Sequence, residues 1–418
     1  MTTTGQQAAI APVSASGWPM VGGALLAQLF MVGFYTYSFS FLVLPLQQEF
    51  GASRTQVMYS MTVSTLVSFL IAPLAGVLVD RHSPRRLMAA GALVYGGGLL
   101  ALSMTGNIWV FVALFALSMA VANSFLGPLL INPVLARRFE VGRGRALGFA
   151  ALGQSIGGFV VPPLFVLLLE QFGWRATLQC YGAAVLLGLL PALLVSVRAA
   201  PVAAPATGTA QPVPAPAVMG FREILARREY WLIGLPIGAL FCSISAVLAN
   251  FSPYVASAGF TPGDAGTLLM AAPVGGIAGK LGFGFLADRL NKKLLLLVAV
   301  GLMFAGIGML ALMPSYALIM LAIFCIGLAS GASVPVWGAL LPQVFGLASY
   351  GRVMGTMLPR TTVMVTAGFA LSGLTFDATG SYVVMLALFG AMLLLAGVLL
   401  AMLRLPASRA AVAASAGC

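Results

Sequence analysis

The chain has 418 residues, of which 61% are hydrophobic and only 7% are charged, and its mean hydropathy is +1.04. A water-soluble protein of this length cannot bury so much apolar surface, so the composition excludes a soluble protein and indicates one whose solvent is lipid. The net charge of +12 is explained below by the positions of the basic residues, without a nucleic-acid surface.

The apolar residues fall into runs of the length that a membrane requires. A bilayer core of about 30 Å needs about 20 apolar residues per helix. In chain order, the sequence predicts twelve helices, α1 to α12, at residues 20–45, 57–79, 87–105, 109–136, 146–169, 176–197, 230–256, 264–287, 294–312, 316–341, 353–375 and 382–403. Residues 1–17 carry no charge and lack the basic region of a signal peptide, so we expect α1 to be retained.

Most basic residues lie in the loops of one side of this topology. If the N-terminus is cytoplasmic, the cytoplasmic segments hold Arg81, Arg85, Arg86, Arg137, Arg138, Arg143, Arg145, Arg198, Arg222, Arg227, Arg228, Arg289, Lys292, Lys293, Arg352, Arg404 and Arg409. Only Arg54 and Arg175 fall on the other side, and Lys280 and Arg360 fall inside predicted helices. The positive-inside rule therefore predicts that both termini are cytoplasmic. We expect the protein to lie in the cytoplasmic (inner) membrane.

The chain divides into two similar halves. GVLVDRHSPRR begins at Gly76 and GFLADRLNKK begins at Gly284, an offset of 208, while GRALG (144–148) pairs with GRVMG (351–355) at an offset of 207. We predict a tail at 1–19, a six-helix bundle at 20–198, a Pro/Ala-rich cytoplasmic linker at 199–229, a second bundle at 230–404 and a tail at 405–418. Two parallel repeats suit a transporter whose site lies between the halves.

The repeated G-x-x-x-D-R pattern, each time followed by basic residues, resembles the major facilitator superfamily, and the resemblance covers the whole chain. It implies an all-α membrane protein with twelve transmembrane helices in two six-helix pseudo-repeats around a central cavity. Within the superfamily, the segments LGPLLINPVLARRF (126–139), GRGRALGFAALGQSIGGFVVPPL (142–164) and FGWRATL (172–178) resemble the bacterial monocarboxylate porter and oxalate/formate antiporter group.

The same resemblance implies a gate at the cytoplasmic ends of four helices. Asp80 would face the start of α11 near Arg352, and Asp288 would face the start of α5 near Arg145, each carboxylate stabilised by a helix N-terminus when the cytoplasmic side is closed. Gly76 and Gly284 would permit close helix approach, and Arg81 and Arg289 complete the repeated motif. The alternative is that these charges only anchor helix ends at the interface.

Two cations inside predicted helices point to the substrate. Lys280 lies eight residues before Asp288 and Arg360 eight residues after Arg352, which is about 12 Å of helix in each case. A charge at this depth costs at least about 2.5–3.5 kcal/mol and is expected to face a water-filled cavity or a counter-charge.

The sequence offers no counter-charge at that depth. All nine acidic residues fall in loops or at helix ends: Glu49, Asp80, Glu140, Glu170, Glu223, Glu229, Asp264, Asp288 and Asp377. We therefore predict that Lys280 and Arg360 bind an anionic substrate, with Arg360 able to hold a carboxylate through two hydrogen bonds. Alternatively, Lys280 is neutral and bridges backbone carbonyls, and Arg360 satisfies carbonyls freed by Pro359.

The resemblance supports these two cations but leaves the substrate open. Oxalate/formate antiporters place one cation on helix 8 and another on helix 11, whereas monocarboxylate porters place an arginine where this chain has Lys280. Animal monocarboxylate porters also carry an aspartate one turn earlier, and here that position is Gly276. Polar and aromatic residues that could complete the pocket, each with helix packing as its alternative role, are Tyr35, Asn123, Gln154, Asn250 and Trp337.

We predict a secondary transporter that moves a small mono- or dicarboxylate by proton symport or anion exchange. The alternative is a carrier for a larger neutral or aromatic metabolite, a flavin-like vitamin or a drug. An enzyme is not expected, because the single histidine, His82, lies in a loop without metal ligands or a catalytic partner. We expect no cofactor, since no phosphate-binding loop is present, no nucleic-acid partner, and function as a monomer in the bilayer.

Overall fold

The computed structural model describes residues 17–139, 143–197, 219–287, 289–312, 315–346 and 349–404, and every regular element in them is helical. Residues 1–16 of the predicted N-terminal tail, the predicted C-terminal tail and most of the predicted linker lie outside the described residues, and α1 begins at Trp18, two residues before its predicted start. The described end of the linker contains a short helix, Phe221–Ala226.

The first half contains six membrane helices. They are α1 at Trp18–Phe50, α2 at Arg54–Arg81, α3 at Pro84–Ser103, α4 at Ile108–Leu126 continued by Pro128–Arg138, α5 at 143–172 and α6 at 174–196. α1 is π-helical at Gly33–Ser38 and 3-10 helical at Phe39–Leu42. α5 and α6 meet at Gly173, whose φ of +75° is a conformation that glycine adopts readily and that interrupts the helix.

The second half repeats this order. It contains α7 at Arg228–Ala249 continued by Phe251–Ser257, α8 at Pro262–Leu269 and Ala271–Ala287, α9 at Lys292–Ala311, α10 at Tyr316–Phe345, α11 at Tyr350–Thr379 and α12 at Tyr382–Ala401.

Twelve crossings are thereby confirmed in the described residues. By length and composition, ten helices could span a membrane. One of them, Arg145–Ser196, has 52 residues, about 78 Å of helix, so it crosses the bilayer core of about 30 Å twice. The twelfth is α11, whose 30 residues include Arg352, Arg360 and Asp377.

Several helices begin earlier or end later than their apolar runs. α2 begins at Arg54 rather than at 57, because the Ser53 side chain accepts from the Gln56 N–H and the Gln56 side chain accepts from the Ser53 N–H. Hydropathy marks the part of a helix inside lipid, whereas this capping box fixes the first turn outside it.

The capping boxes also follow the internal repeat. Thr261 and Asp264 close the start of α8 in the same way, and each of these residues lies 208 positions after its counterpart, Ser53 or Gln56. The two halves therefore share the local structure of this helix start as well as the G-x-x-x-D-R pattern.

α8 and α10 meet at backbone contact. A methyl group on Gly275 or Gly279 of α8 would overlap a carbonyl oxygen of α10, and a methyl group on Gly327 or Gly331 of α10 would overlap a carbonyl oxygen of α8. This interlocked small-residue seam fixes the rotation of α8, and with it the direction of Lys280.

Replacing Gly331 with alanine is expected to lower the free energy of unfolding by about 1–3 kcal/mol, as overpacking of a well-packed core does. The Gly331→Ala methyl would collide with the Gly276 carbonyl oxygen, which cannot move without its helix. Thermal unfolding in detergent measures the effect. Gly301→Ala is the matched control, because no atom lies within 4 Å of the methyl position there; equal midpoints for the two variants would contradict the seam.

The halves touch on one side of the membrane and separate on the other. We call the side where α1 begins and α12 ends the proximal side, and the side of the α1–α2 loop (51–53) the distal side. Toward the distal side, the methyl position of Gly373 lies 2.6 Å from the Thr55 Cα, and that of Gly266 lies 3.4 Å from a Val166 methyl.

Toward the proximal side, the glycines of the repeated motif have open space around them. A methyl group on Gly76 would meet nothing within 4 Å, and one on Gly284 would approach only Pro335 of its own half. The proximal parts of α2, α8 and α11 are also largely exposed or half-buried, so among the described residues the space between the halves opens to the proximal side.

Candidate functional site

Lys280 lies on the face of α8 that points toward the first half. Gly266, which packs against α5, marks that face, and exposed Leu281 and Phe285 mark the lipid face. Lys280 follows Gly266 by fourteen residues, which at 3.6 residues per turn places it about 40° from Gly266 around the helix and about 100–140° from the lipid-facing pair. The ammonium group therefore belongs to the space between the halves.

No described acid approaches Lys280. Glu49 pairs with Arg175, Glu223 with Arg227, and Asp377 accepts from backbone N–H groups of α2. Within the described residues, the Lys280 ammonium has neither a hydrogen bond nor an ion pair. A cation in this position can be compensated by water and by a mobile anion.

Arg360 points toward α7. Its guanidinium lies over the Tyr230 ring at 4.5 Å from the centroid and 5.2 Å from that of Trp231. Gly234 provides the space, because a methyl group there would overlap the guanidinium. All three guanidinium nitrogens are buried without a hydrogen-bond partner in the described structure, and no described contact joins Arg360 to Lys280.

Trp337 and Asn123 occupy different surroundings. The Trp337 ring is 5% exposed, lies 6.3 Å from the Phe241 ring of α7, and its indole N–H has no acceptor among the described residues. Asn123 is exposed on α4, one turn before the break at Gly127. Trp337 thus offers an unpaired donor, and Asn123 an amide on an accessible surface.

Tyr35 and Gln154 are held by contacts within the first half. The Tyr35 ring stacks on Phe115, and its hydroxyl lies 3.3 Å from the Thr65 hydroxyl oxygen, with Tyr35 in the π-helical segment of α1. The Gln154 amide donates to the Gln28 side-chain oxygen and so joins α5 to α1.

Asn250 lies at the distal junction of the halves. Its amide nitrogen donates to the Ser372 hydroxyl and the Ala246 carbonyl, each at 3.0 Å, and lies 3.6 Å from the Met58 sulfur of α2. Fully buried there, Asn250 joins α7, α11 and α2 in the conformation that is closed on the distal side.

The predicted gate is described only through its basic residues. Arg81, Arg145 and Arg352 are exposed, Arg352 donates to the Met219 carbonyl, and Arg289 lies over the Phe285 ring. The Asp80 side chain and Asp288 lie outside the described residues. The gate was predicted for a structure closed on this side, so it stays a prediction.

The seven predicted substrate-binding residues thus lie in several environments rather than in one cluster. Sequence reasoning missed Tyr230 and Trp231, which enclose the Arg360 guanidinium, and Phe241 and Gln28, the partners of Trp337 and Gln154. The sequence signal for the Arg360 pocket is the aromatic pair Tyr230 and Trp231 at the start of α7, followed by Gly234, which leaves space for the guanidinium.

Comparison with known proteins decides the family. A model of the major facilitator superfamily matches residues 24–358 and 256–417. The chain belongs to the major facilitator superfamily. It is therefore a multi-pass membrane transporter and not an enzyme.

Two of three similar proteins are named monocarboxylate transporters, which supports the narrower resemblance. Monocarboxylate transporter 13 of Rattus norvegicus is 25% identical over 404 residues, covering 90% of this chain and 86% of the relative. Monocarboxylate transporter 12 of Homo sapiens is 24% identical, with 93% and 80% covered. A fujikurins efflux protein of Gibberella fujikuroi is 28% identical, with 72% and 63% covered.

Solved structures share the fold. A nucleoside transporter superposes with a TM-score of 0.76 at 13% identity, covering 93% of this chain and all of that one. A bacterial homologue of the human lysosomal transporter Spinster, in an inward-facing and unoccupied conformation, superposes with a TM-score of 0.68 at 14% identity, covering 94% and 98%. At these identities the likeness concerns the fold alone.

Proposed function

We propose that this protein carries a small mono- or dicarboxylate across the cytoplasmic membrane by alternating access, with Lys280 as the residue that binds the anion. The observation that carries the proposal is a lysine on the inter-half face of α8 with no acidic partner in the described structure. An ammonium held in a low-dielectric cavity without a counter-charge attracts a carboxylate more strongly than one in water does.

The distribution of basic residues supports the proposed orientation of the protein in the membrane. With the proximal side cytoplasmic and both termini there, the positive-inside rule is satisfied, and the cavity described above opens to the cytoplasm. Because Gly276 stands where animal monocarboxylate porters have an aspartate, a proton would move on the substrate or on Lys280, or else the transport is anion exchange. We propose a functional monomer, since each chain contains both halves.

We propose Arg360 and Trp337, on α11 and α10 of the same half as Lys280, as further hydrogen-bond donors to the anion. The unpaired guanidinium nitrogens and the unpaired indole N–H are donors that a carboxylate can accept from. Further candidates are Asn123, which is exposed, and Tyr35, Gln154 and Asn250, which each have a contact of their own. The relatives named monocarboxylate transporters support this substrate class.

A panel of matched ligands tests the substrate class. Lactate, oxalate, succinate and benzoate are compared with lactamide, oxamide, succinamide and benzamide, and with riboflavin, in thermal-shift assays at fixed ionic strength. A ligand at 100 times its dissociation constant adds about 2.7 kcal/mol to the folded state. We expect at least one carboxylate to raise the midpoint and its amide, which has nearly the same shape without the charge, to leave it unchanged.

Uptake into proteoliposomes then establishes transport of the ligand that binds. Stabilisation by amides and carboxylates alike, or by riboflavin alone, would reject the anionic substrate and favour a carrier for neutral or aromatic compounds.

A further inference from the structure

The distal closure depends on a carboxylate from the opposite half. Asp377 lies in the last turn of α11, and its two oxygens accept from the backbone N–H groups of Arg54 and Thr55 at 2.9 and 2.8 Å. These are first-turn groups of α2 that have no partner within their own helix. Since the capping box uses the N–H groups of Ser53 and Gln56, Asp377 completes the cap of α2 from the other half.

Contacts between the two halves continue from Asp377 toward the centre of the membrane. One turn before Asp377, Gly373 brings α11 to backbone contact with Thr55, and below it Asn250 bonds to Ser372 beside Met58. The Asn250–Ser372 bond lies within the second half, whereas the contacts of Asp377 and Gly373 with α2 and of Asn250 with Met58 cross between the halves. A separation of the halves on the distal side must break these crossing contacts together.

The Arg54 side chain crosses the same junction. It is 3% exposed, and its guanidinium lies 4.6 Å from the Phe376 ring centroid and 5.8 Å from that of Tyr382, on α11 and α12. Two of its nitrogens are buried without a hydrogen-bond partner in the described structure. This side chain of the first half is therefore inserted into the second half, where it places a positive charge near Asp377.

The internal repeat supplies a comparison within the same chain. Glu170 on α5 corresponds to Asp377 at the offset of 207, and one of its oxygens lies 3.8 Å from the methyl position of Gly263 in the first turn of α8. Pro262 stands where α2 has Arg54 and has no N–H to donate. The described structure gives the Glu170 carboxylate no N–H donor, so the two sides of the junction are unequal.

We propose that Asp377 is the latch that holds the distal side closed, by capping the N-terminus of α2 from the opposite half of the protein. α2 and α11 run antiparallel, and the predicted Asp80 gate uses the other ends of the same two helices. One pair of helices thus carries a carboxylate cap at each end, and closing one end separates the other. On the proposed orientation, the latch is extracellular and stabilises the inward-facing state.

The test measures the conformation without any substrate. Spin labels at Met104 and Leu312, exposed residues after α3 and after α9 in opposite halves, report the distal separation by pulsed electron resonance in nanodiscs. The background variant lacks Cys180, Cys242, Cys325 and Cys418. Asp377→Ala is expected to raise the ratio of distal-open to distal-closed molecules about 2- to 30-fold, as the loss of a helix cap would. An unchanged distance distribution would overturn the latch.

Two further comparisons keep the result specific. Glu170→Ala removes the corresponding acid of the repeat and is expected to change the ratio less than Asp377→Ala; an equal change would overturn the role of Asp377. Arg54→Ala removes only the guanidinium, whereas Arg54→Pro also removes one N–H donor at a first-turn position that accepts proline, after a Ser53 whose ψ of 163° suits it. The proline variant is expected to open further than the alanine variant, and equal distributions would reject the backbone cap.

Because these distances are measured without substrate, they are independent of the carboxylate assignment. Failure of the ligand panel leaves the latch intact, and an unchanged distance leaves the proposed substrate site intact.

Discussion

Replacing Lys280 with glutamine is expected to lower carboxylate uptake, at subsaturating substrate, by roughly 10- to 150-fold while leaving membrane insertion unchanged. A hydrogen bond to a charged group contributes about 1.5–3 kcal/mol, and each 1.4 kcal/mol corresponds to a factor of ten in affinity. Glutamine keeps much of the length and a donor but loses the charge. Initial rates in proteoliposomes loaded with equal amounts of monodisperse protein measure the change.

The chain supplies its own control for this experiment. It contains only three lysines, and Lys292→Gln makes the same chemical change at the start of α9, outside the cavity. That variant is expected to transport at the wild-type rate. Lys280→Arg keeps the charge and is expected to retain part of the uptake. Normal rates for Lys280→Gln would reject Lys280 as the anion-binding residue.

The loss should also depend on the charge of the permeant. If Lys280 compensates a carboxylate, Lys280→Gln reduces the preference for a carboxylate over its amide, because only the carboxylate loses an electrostatic partner. A lysine that merely bridged backbone carbonyls would change both permeants alike. The ratio of carboxylate to amide stabilisation therefore separates a binding role from a packing role.

The fold was predictable because the bilayer allows few solutions. Twelve runs of suitable length and a repeat at an offset of 208 were sufficient to predict two six-helix halves. Helix ends were less predictable. α1 continues to Phe50, and α5 meets α6 at Gly173, where a single residue with positive φ separates the helices. Hydropathy predicts which residues lie in lipid, but it does not predict the caps and turns that determine where a helix begins and ends.

The direction of a charged side chain was the part that the sequence could not provide. Lys280 and Arg360 have the same predicted depth, yet the first lies on the inter-half face of α8 and the second lies over Tyr230 on α7. The rotation of α8 depends on Gly275, Gly279, Gly327 and Gly331 acting together across two helices, which is a tertiary property. Likewise, the sequence identifies Asp377 only as an acid at a helix end, because its partners are backbone groups more than 300 residues away.

The distal contacts and the predicted gate together suggest how the two halves alternate. In the described conformation, Asp377 caps α2 on the distal side, while Gly76 and Gly284 have open space on the proximal side. Caps of this kind contribute about 0.5–2 kcal/mol each, so neither state is strongly favoured by its cap alone. Binding of an anion at Lys280 needs only a comparable difference in affinity between the states to drive the exchange.

Replacing Arg360 with methionine is expected to lower carboxylate uptake at least about tenfold and, at the same time, to raise the thermal unfolding midpoint. An unpaired charge at this depth costs at least about 2.5–3.5 kcal/mol, while cation–π contact returns about 0.5–2 kcal/mol. Removing the charge should therefore stabilise the protein by about 1–2 kcal/mol. A residue that lowers the stability of the folded protein is expected to serve its function.

The sign of that stability change separates the two roles considered for Arg360. If the guanidinium satisfied carbonyls freed by Pro359, Arg360→Met would expose unpaired acceptors and lower the midpoint; the described structure gives its nitrogens no acceptor. Gly234→Ala offers a second measurement, because its methyl displaces the guanidinium from α7 without removing the charge. We expect Gly234→Ala to change the apparent affinity for the carboxylate, whereas Gly301→Ala on α9 does not. A lower midpoint for Arg360→Met with unchanged uptake would assign Arg360 to packing, and Lys280 would then bind the anion without a second cation.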